Sequence, residues 1–209
     1  GTRSNHPVKT YKMTDFDIAY TKVMGHEGGY HAGTGANAAD RGGETYKGVA
    51  RRYFPNWYAW KIIDELKKES NFPRNLQQNS HLQRAVKDFY EEYFWETNKL
   101  SSLRFSEVKT KLFDIGVNMG TKTAATFLQR GFNYLCRGNV ASKLKVDGLI
   151  GGITISRINQ LNNNDARHLY NLLNIQQGRH YLNILDRDSS QEAFTRGWID
   201  RLNLISQSK

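Results

Sequence analysis

Thr14-Asp15-Phe16-Asp17-Ile18-Ala19-Tyr20-Thr21-Lys22-Val23-Met24 runs directly into Gly25-His26-Glu27-Gly28-Gly29-Tyr30. In the first stretch Phe16, Ala19, Tyr20, Val23 and Met24 recur at i, i+3, i+4, i+7 and i+8, the apolar face of one α-helix. Thr14 followed three residues later by Asp17 makes a capping-box start for that helix. The pattern then breaks: eight of the chain's 18 glycines fall between residues 25 and 48. So glycine-rich a segment does not hold a helix, and the reading is turns with a short β-hairpin. A long flexible surface loop explains the glycine content equally well.

Working outward, the rest of the chain is helical. A second helix is expected near 57–69. The strongest pattern is Leu82, Ala85, Val86, Phe89, Tyr90, Tyr93 and Phe94, read as core and opened by Ser80 and Gln83 as a capping pair. Further helices are expected near 106–117, 122–136, 154–161, 165–186 and 191–205. Asp165 is the expected cap of the penultimate helix, and Phe194, Trp198, Leu202 and Ile205 form the stripe of the last. Residues 1–13 read as a loose leader, 14–100 as one half and 101–209 as a second helical half packed on it. The fold class is all-α with a small β-hairpin.

A chain of 209 residues fits one domain or two small ones, and buries about 70% of its unfolded surface without needing a disulfide or metal. The single cysteine, Cys136, excludes a disulfide framework within the chain and a zinc site of paired thiolates. No run of 18 apolar residues is present, so no membrane-spanning helix is expected. The chain begins at Gly1 without a basic-then-apolar leader, consistent with a signal peptide that was removed or never existed. Net charge is +10, and between Ser101 and Val146 eight basic residues (Arg104, Lys109, Lys111, Lys122, Arg130, Arg137, Lys143, Lys145) face only Glu107 and Asp114. Such a field draws a protein toward polyanions: nucleic acid, anionic lipid or the polymers of a bacterial wall. A solvated basic surface with no partner is the plain alternative.

Glu27 is the residue with chemistry. It lies eleven positions after Phe16 and so continues the apolar stripe of the first helix, in its expected last turn. An inward carboxylate at the negative end of a helix keeps its proton toward neutral pH, as a general acid must. A glutamate exposed at a frayed helix end fits the same spacing. His26-Glu27 with His31 imitates a zinc-protease motif, but five helical residues turn through about 500° and put the two imidazoles on different faces. Gly148–Gly152 lacks the Lys-Ser/Thr of a phosphate loop. No metal and no cofactor is expected.

Glu27-Gly28-Gly29-Tyr30, then Asp40 and Gly42-Gly43-Glu44-Thr45-x-x-Gly48, resemble the signature of glycoside hydrolase family 108. These are bacterial and phage N-acetylmuramidases, some described as secretion activator proteins. Leu112-Phe113-Asp114-Ile115-Gly116-Val117-Asn118-Met119-Gly120, Phe127-Leu128-Gln129-Arg130, Val146-Asp147-Gly148-Leu149-Ile150-Gly151 and Gly197-Trp198-Ile199-Asp200-Arg201 resemble blocks of that family's peptidoglycan-binding second half. The resemblance spans roughly residues 14–205. It implies a lysozyme-like helical fold with a hairpin beside the cleft, and hydrolysis of the β-1,4 bond between N-acetylmuramic acid and N-acetylglucosamine. Glu27 stands at the position of the catalytic glutamate. Peptidoglycan is then the partner, in the bacterial envelope or after secretion or phage-type release, and the chain is expected to act as a monomer.

The second catalytic group stays open between Asp40, Glu44 and neither, the last being a lone-acid transglycosylase. An inverting hydrolase needs a base about 6.5–9.5 Å from its acid, with water between. Asp40 and Thr45 occupy places comparable to the aspartate and threonine of phage-type lysozymes, with a longer gap from Glu27 and one residue fewer between them. Thr45 is a candidate to hold the water by its hydroxyl, with a β-branched strand residue as its plain reading, and only one of Glu44 and Thr45 can enter the cleft if that segment is extended. Tyr30, Tyr46, Trp57 and Trp60 are candidate sugar platforms. Asn118 is a candidate partner for an N-acetyl group, with helix packing as its plain reading. Two rivals remain: an inactive wall-binding or secretion-assisting protein, and a basic nucleic-acid binder, for which no helix-turn-helix or comparable motif stands out.

Overall fold

The computed structural model describes residues 12–25, 28–33 and 43–202. Glu27, Asp40, Ile205 and all but the last two residues of the leader lie outside them. Helix α1, Asp15–Met24, opens on the expected capping box: Asp17 N donates to Thr14 Oγ1 at 3.1 Å, and Thr14 N to Asp17 Oδ2 at 2.9 Å. Gly25 is its C-cap.

The glycine-rich segment supplies three short strands rather than one hairpin. β1 (Tyr30–His31), β2 (Thr45–Tyr46) and β3 (Val49–Ala50) pair antiparallel in that order. Lys47 and Gly48 link β2 to β3 with φ of 44° and 82°, the positive pair that a two-residue type I′ turn demands. The third strand was missed because strands of two residues carry too little alternation to read.

Helix α2, Ala59–Leu66, is shorter at both ends than expected, and α3 covers Ser80–Tyr90. The cap of α3 is Asn79, whose Oδ1 accepts from Leu82 N at 2.9 Å, not Ser80. Asn79 still has extended backbone, and a cap must sit one residue outside the helical torsions. After Tyr90 the coil widens into a π-helical turn over Glu91–Glu96. That shift of phase corrects the expected core stripe: Tyr93 is turned outward, 41% exposed, and Trp95 takes the interior position at 2%.

The remaining helices are α4 (Ser106–Met119), α5 (Thr121–Tyr134), α6 (Gly152–Asn159), α7 (Asn163–Arg187) and α8 (Thr195–Leu202). Asn162, not Asp165, caps α7, its Oδ1 accepting from Asp165 N at 2.8 Å. Phe194 belongs to the 3₁₀ stretch ahead of α8 and is exposed rather than part of that helix's buried stripe. Among the described residues no helix is long and apolar enough to cross a membrane.

Helix α4 packs against α1, α5 and α7. The rings of Phe16, Trp95 and Phe113 meet edge-on at 5.4, 5.7 and 5.9 Å. Phe113 is fully buried, worth about 1.5–3 kcal/mol of transfer free energy. Two cations of the basic stretch also lie inside. Lys109 reaches across to Asp15 at 2.6 Å. Lys111 is fully buried beside Asp114. The basic surface of residues 101–146 is therefore weaker than the charge count implied.

Candidate active site

The three-stranded sheet has two unlike faces. Alternation through the register Tyr30↔Tyr46, His31↔Thr45 and Tyr46↔Val49 puts Tyr30, Glu44, Tyr46 and Val49 on one side. That side is turned inward: Tyr46 and Val49 are 2% and 1% exposed. Thr45, half-buried, and exposed His31 share the other side.

Side chains from α3 hold the inward face down. Gln83 Nε2 donates to the Tyr46 hydroxyl at 2.9 Å, Lys47 Nζ donates to Gln83 Oε1 at 2.6 Å, and the Tyr90 hydroxyl donates to Lys47 O. Tyr46, weighed as a sugar platform, is thus core. Trp60 is core as well, with its indole N–H donating to Phe54 O at 2.8 Å. Trp57, half-buried, lines a cavity of about 410 Å³ together with Phe54, Tyr58, Phe89 and Tyr93.

Glu44 is the electrostatic hub. Its Oε1 accepts from Arg51 Nη1 at 2.8 Å, and its Oε2 accepts from the Tyr30 hydroxyl at 2.5 Å and from Lys67 Nζ. Arg51 also grips Asp64 in a two-pronged pair, both contacts at 2.8 Å, and lies over the Trp60 ring. Burial pushes the Glu44 carboxyl up, but Lys67, Tyr30 and Arg51 together outweigh it and hold it below the usual range. Burial and the bond to Glu44 raise the Tyr30 phenol. Arg51 brings Asp64 down to about 2. Arg51, Asp64 and Lys67 had no linear signature, since 20 residues separate Glu44 from Asp64 and only the β3–α2 connection brings them together.

The glycines have a definite task at the mouth of this region. Gly33 and Gly43 carry φ of +72° and +62°, and a Cβ at Gly33 would lie 2.2 Å from the carbonyl carbon of Gly43. Only glycine allows the two backbones to meet there. Gly28, next to Glu27 in sequence, faces His31, whose Nε2 lies 3.3 Å from where a Gly28 Cβ would be. Asn118 is elsewhere: its Oδ1 accepts from the Tyr181 hydroxyl at 2.6 Å, joining α4 to α7. Among the described residues, no group of three or more His, Cys, Asp or Glu gathers in a way that would hold a metal.

The sequence profile described as glycosyl hydrolase 108 matches residues 20–120, and a predicted peptidoglycan domain matches 123–203. Residues 20–120 thus carry a glycosyl hydrolase 108 domain. No curated protein matches the sequence. The solved structure of Brucella abortus SagA is similar, at TM-score 0.55 and 20% identity, covering 90% of this chain and 88% of that one. At that identity the likeness bears on the fold alone. With its glycosyl hydrolase 108 and peptidoglycan domains the chain is a lysozyme-like protein of glycoside hydrolase type that acts on peptidoglycan, cell-wall-associated or secreted. The first match ends at the C-cap of α4 and the second begins inside α5.

Proposed function

We propose that this protein is an N-acetylmuramidase that cleaves the β-1,4 bond between N-acetylmuramic acid and N-acetylglucosamine. Glu27 donates its proton to the glycosidic oxygen as the bond breaks. Asp40 takes a proton from water as the water oxygen bonds to the anomeric carbon, and Thr45 orients that water. Tyr30 contributes to the sugar site. The half comprising residues 14–100 does the chemistry, and the half comprising 101–209 holds the wall.

The observation that carries this reading is the bonding of Glu44. Its carboxylate already receives a phenol, a guanidinium and an ammonium, so it has little left with which to activate a water. Thr45 shares the opposite, more open face of the sheet with exposed His31. With Glu44 engaged, Asp40 is the favoured base of the two. The match over residues 20–120 takes in Glu27, Asp40, Glu44 and Thr45 alike and supports glycoside hydrolysis as the reaction.

Product analysis tests it. Purified peptidoglycan digested to completion should release muropeptides with new reducing ends. Anhydro-muramic ends instead would mean that no base activates water, and would replace the hydrolase with a lone-acid transglycosylase. No release at all would favour a wall-binding protein without activity.

A further inference from the structure

A second cavity, of about 480 Å³, lies on the far part of the chain between the loop 143–151 and the start of α6. The loop has no regular secondary structure, yet it is held by two side chains one turn apart on α5. Asn133 Nδ2 donates to Leu144 O at 2.9 Å and its Oδ1 accepts from Leu144 N at 2.7 Å. Gln129, 1% exposed, accepts at Oε1 from Asp147 N (3.1 Å) and Gly148 N (2.9 Å). Its Nε2 donates to Leu149 O at 2.9 Å and to Asp147 Oδ1 at 3.0 Å. Gly148 adopts φ +73° and packs so tightly that a Cβ there would lie 2.7 Å from Lys122 Cγ.

So firm a loop would be expected to tuck its apolar side chains away. Leu144 and Ile150 do point in, at 7% and 6% exposure, but Leu149 and Ile153 stand out at 70% and 71%. Lys143 and Lys145 rise beside them, both exposed. Lys143 makes no ion pair among the described residues, and Lys145 acts on Asp147 without bonding to it. With Lys143, Lys145 and Arg157 against Asp147, a rigid cavity that offers apolar contact and a net positive charge together suits a short ligand with carboxylates and small apolar side chains. The glycan backbone of peptidoglycan is neutral once its lactyl groups are amide-linked. Its stem peptides carry free carboxylates and alanine methyls.

We infer that this cavity binds the peptide stems of peptidoglycan, with Lys143 and Lys145 on the carboxylates and Leu149 and Ile153 on the methyl groups. The inference rests on the peptidoglycan reading above and assigns the recognised part of that polymer.

The experiment compares pull-down by intact sacculi with pull-down by sacculi whose stems an amidase has removed, for the full chain, Lys143→Ala/Lys145→Ala and Leu149→Ser/Ile153→Ser. Equal melting temperatures establish that the variants fold. Loss of the stems should weaken wild-type binding about tenfold, a difference of about 1.4 kcal/mol. Each double variant should bind intact sacculi as weakly as wild type binds stripped ones, and free stem tetrapeptide should compete where inorganic polyphosphate at equal charge does not. Equal wild-type binding to both sacculi overturns the inference, as does equally good competition by polyphosphate, which would mean charge without recognition. Cleavage of stem-free glycan separates the two readings. If the protein cleaves it but does not discriminate stems, the cavity assignment alone fails; if it neither binds nor cleaves either material, the peptidoglycan reading fails with it.

Discussion

The Tyr30 hydroxyl donates to Glu44 Oε2 at 2.5 Å, a diagonal contact across the β1–β2 pair in which Tyr30 lies opposite Tyr46. The bond closes a network in which Glu44 receives Arg51 and Lys67 while Arg51 grips Asp64. The carboxylate nearest in sequence to Thr45 thereby braces the sheet against α2, and its oxygens are occupied by donors.

Glu44→Gln should therefore act on stability more than on chemistry. Losing a charged acceptor with three donors, its side chain 14% exposed, should cost about 1–3 kcal/mol, a fall in Tm of roughly 2–10 °C. Activity on peptidoglycan should drop less than tenfold. Thermal melts and a turbidity assay on one preparation check both, and a loss as large as that of an acid variant would put Glu44 in the chemistry.

The same network sets an acid-side dependence. Asp64 is held at about 2 by Arg51 and Glu44 is held below its ordinary range. Both folded values are depressed, so the stabilisation is complete above about pH 5, where the unfolded carboxylates are ionised too, and is lost as pH falls through the folded values. The Tm gap between wild type and Glu44→Gln should narrow steadily from pH 5 to pH 2. A gap that stays constant over that range would show that charge on Glu44 is not what stabilises the sheet.

Glu27→Gln keeps size and hydrogen bonding but has no proton to deliver, so lysis should fall at least about a hundredfold with little change in Tm. Asp40→Asn should lose nearly as much. Retention of more than about a tenth of wild-type rate by Glu27→Gln would remove it as the acid. Glu44→Gln outranking Asp40→Asn would transfer the base to Glu44.

Far from the sheet, Asp114 is fully buried and accepts from Arg201 Nε at 2.6 Å, Gln177 Nε2 at 3.1 Å and Lys111 Nζ at 3.3 Å. These bonds fasten α8 to α4 and α7, and Trp198 stacks on Tyr181 at 4.9 Å beside them. Asp114→Ala leaves buried cations without their counter-charge, a change that typically costs 3–5 kcal/mol. Tm should drop by about 10 °C or more, and limited proteolysis should release α8 first. A drop of only a degree or two would mean that the stacked rings, not the ions, hold that helix.

Periodicity along the chain was enough to locate all eight described helices, because an apolar face repeating every 3.6 residues is a local property. Thr14 and Asp17 announced the first cap for the same reason, since both partners lie within one turn. Glu27 stood out by its place on the apolar stripe at the end of the first helix, while Asp40, Glu44 and Thr45 were singled out by the family resemblance. Local pattern failed where packing chose among equivalent options: Asn79 over Ser80 and Asn162 over Asp165 as caps, and Trp95 over Tyr93 for the core once the coil widened. It also failed for Lys109 and Lys111, counted as surface charge but buried: Lys109 meets Asp15 of α1, and Lys111, besides its neighbour Asp114, meets Gln177 of α7 and the Arg201 carbonyl of α8. Whether Glu44 braces or reacts depended on Tyr30, Arg51, Asp64 and Lys67 converging from three elements. Convergence of that kind is a fact of three-dimensional packing, and no spacing in one dimension encodes it.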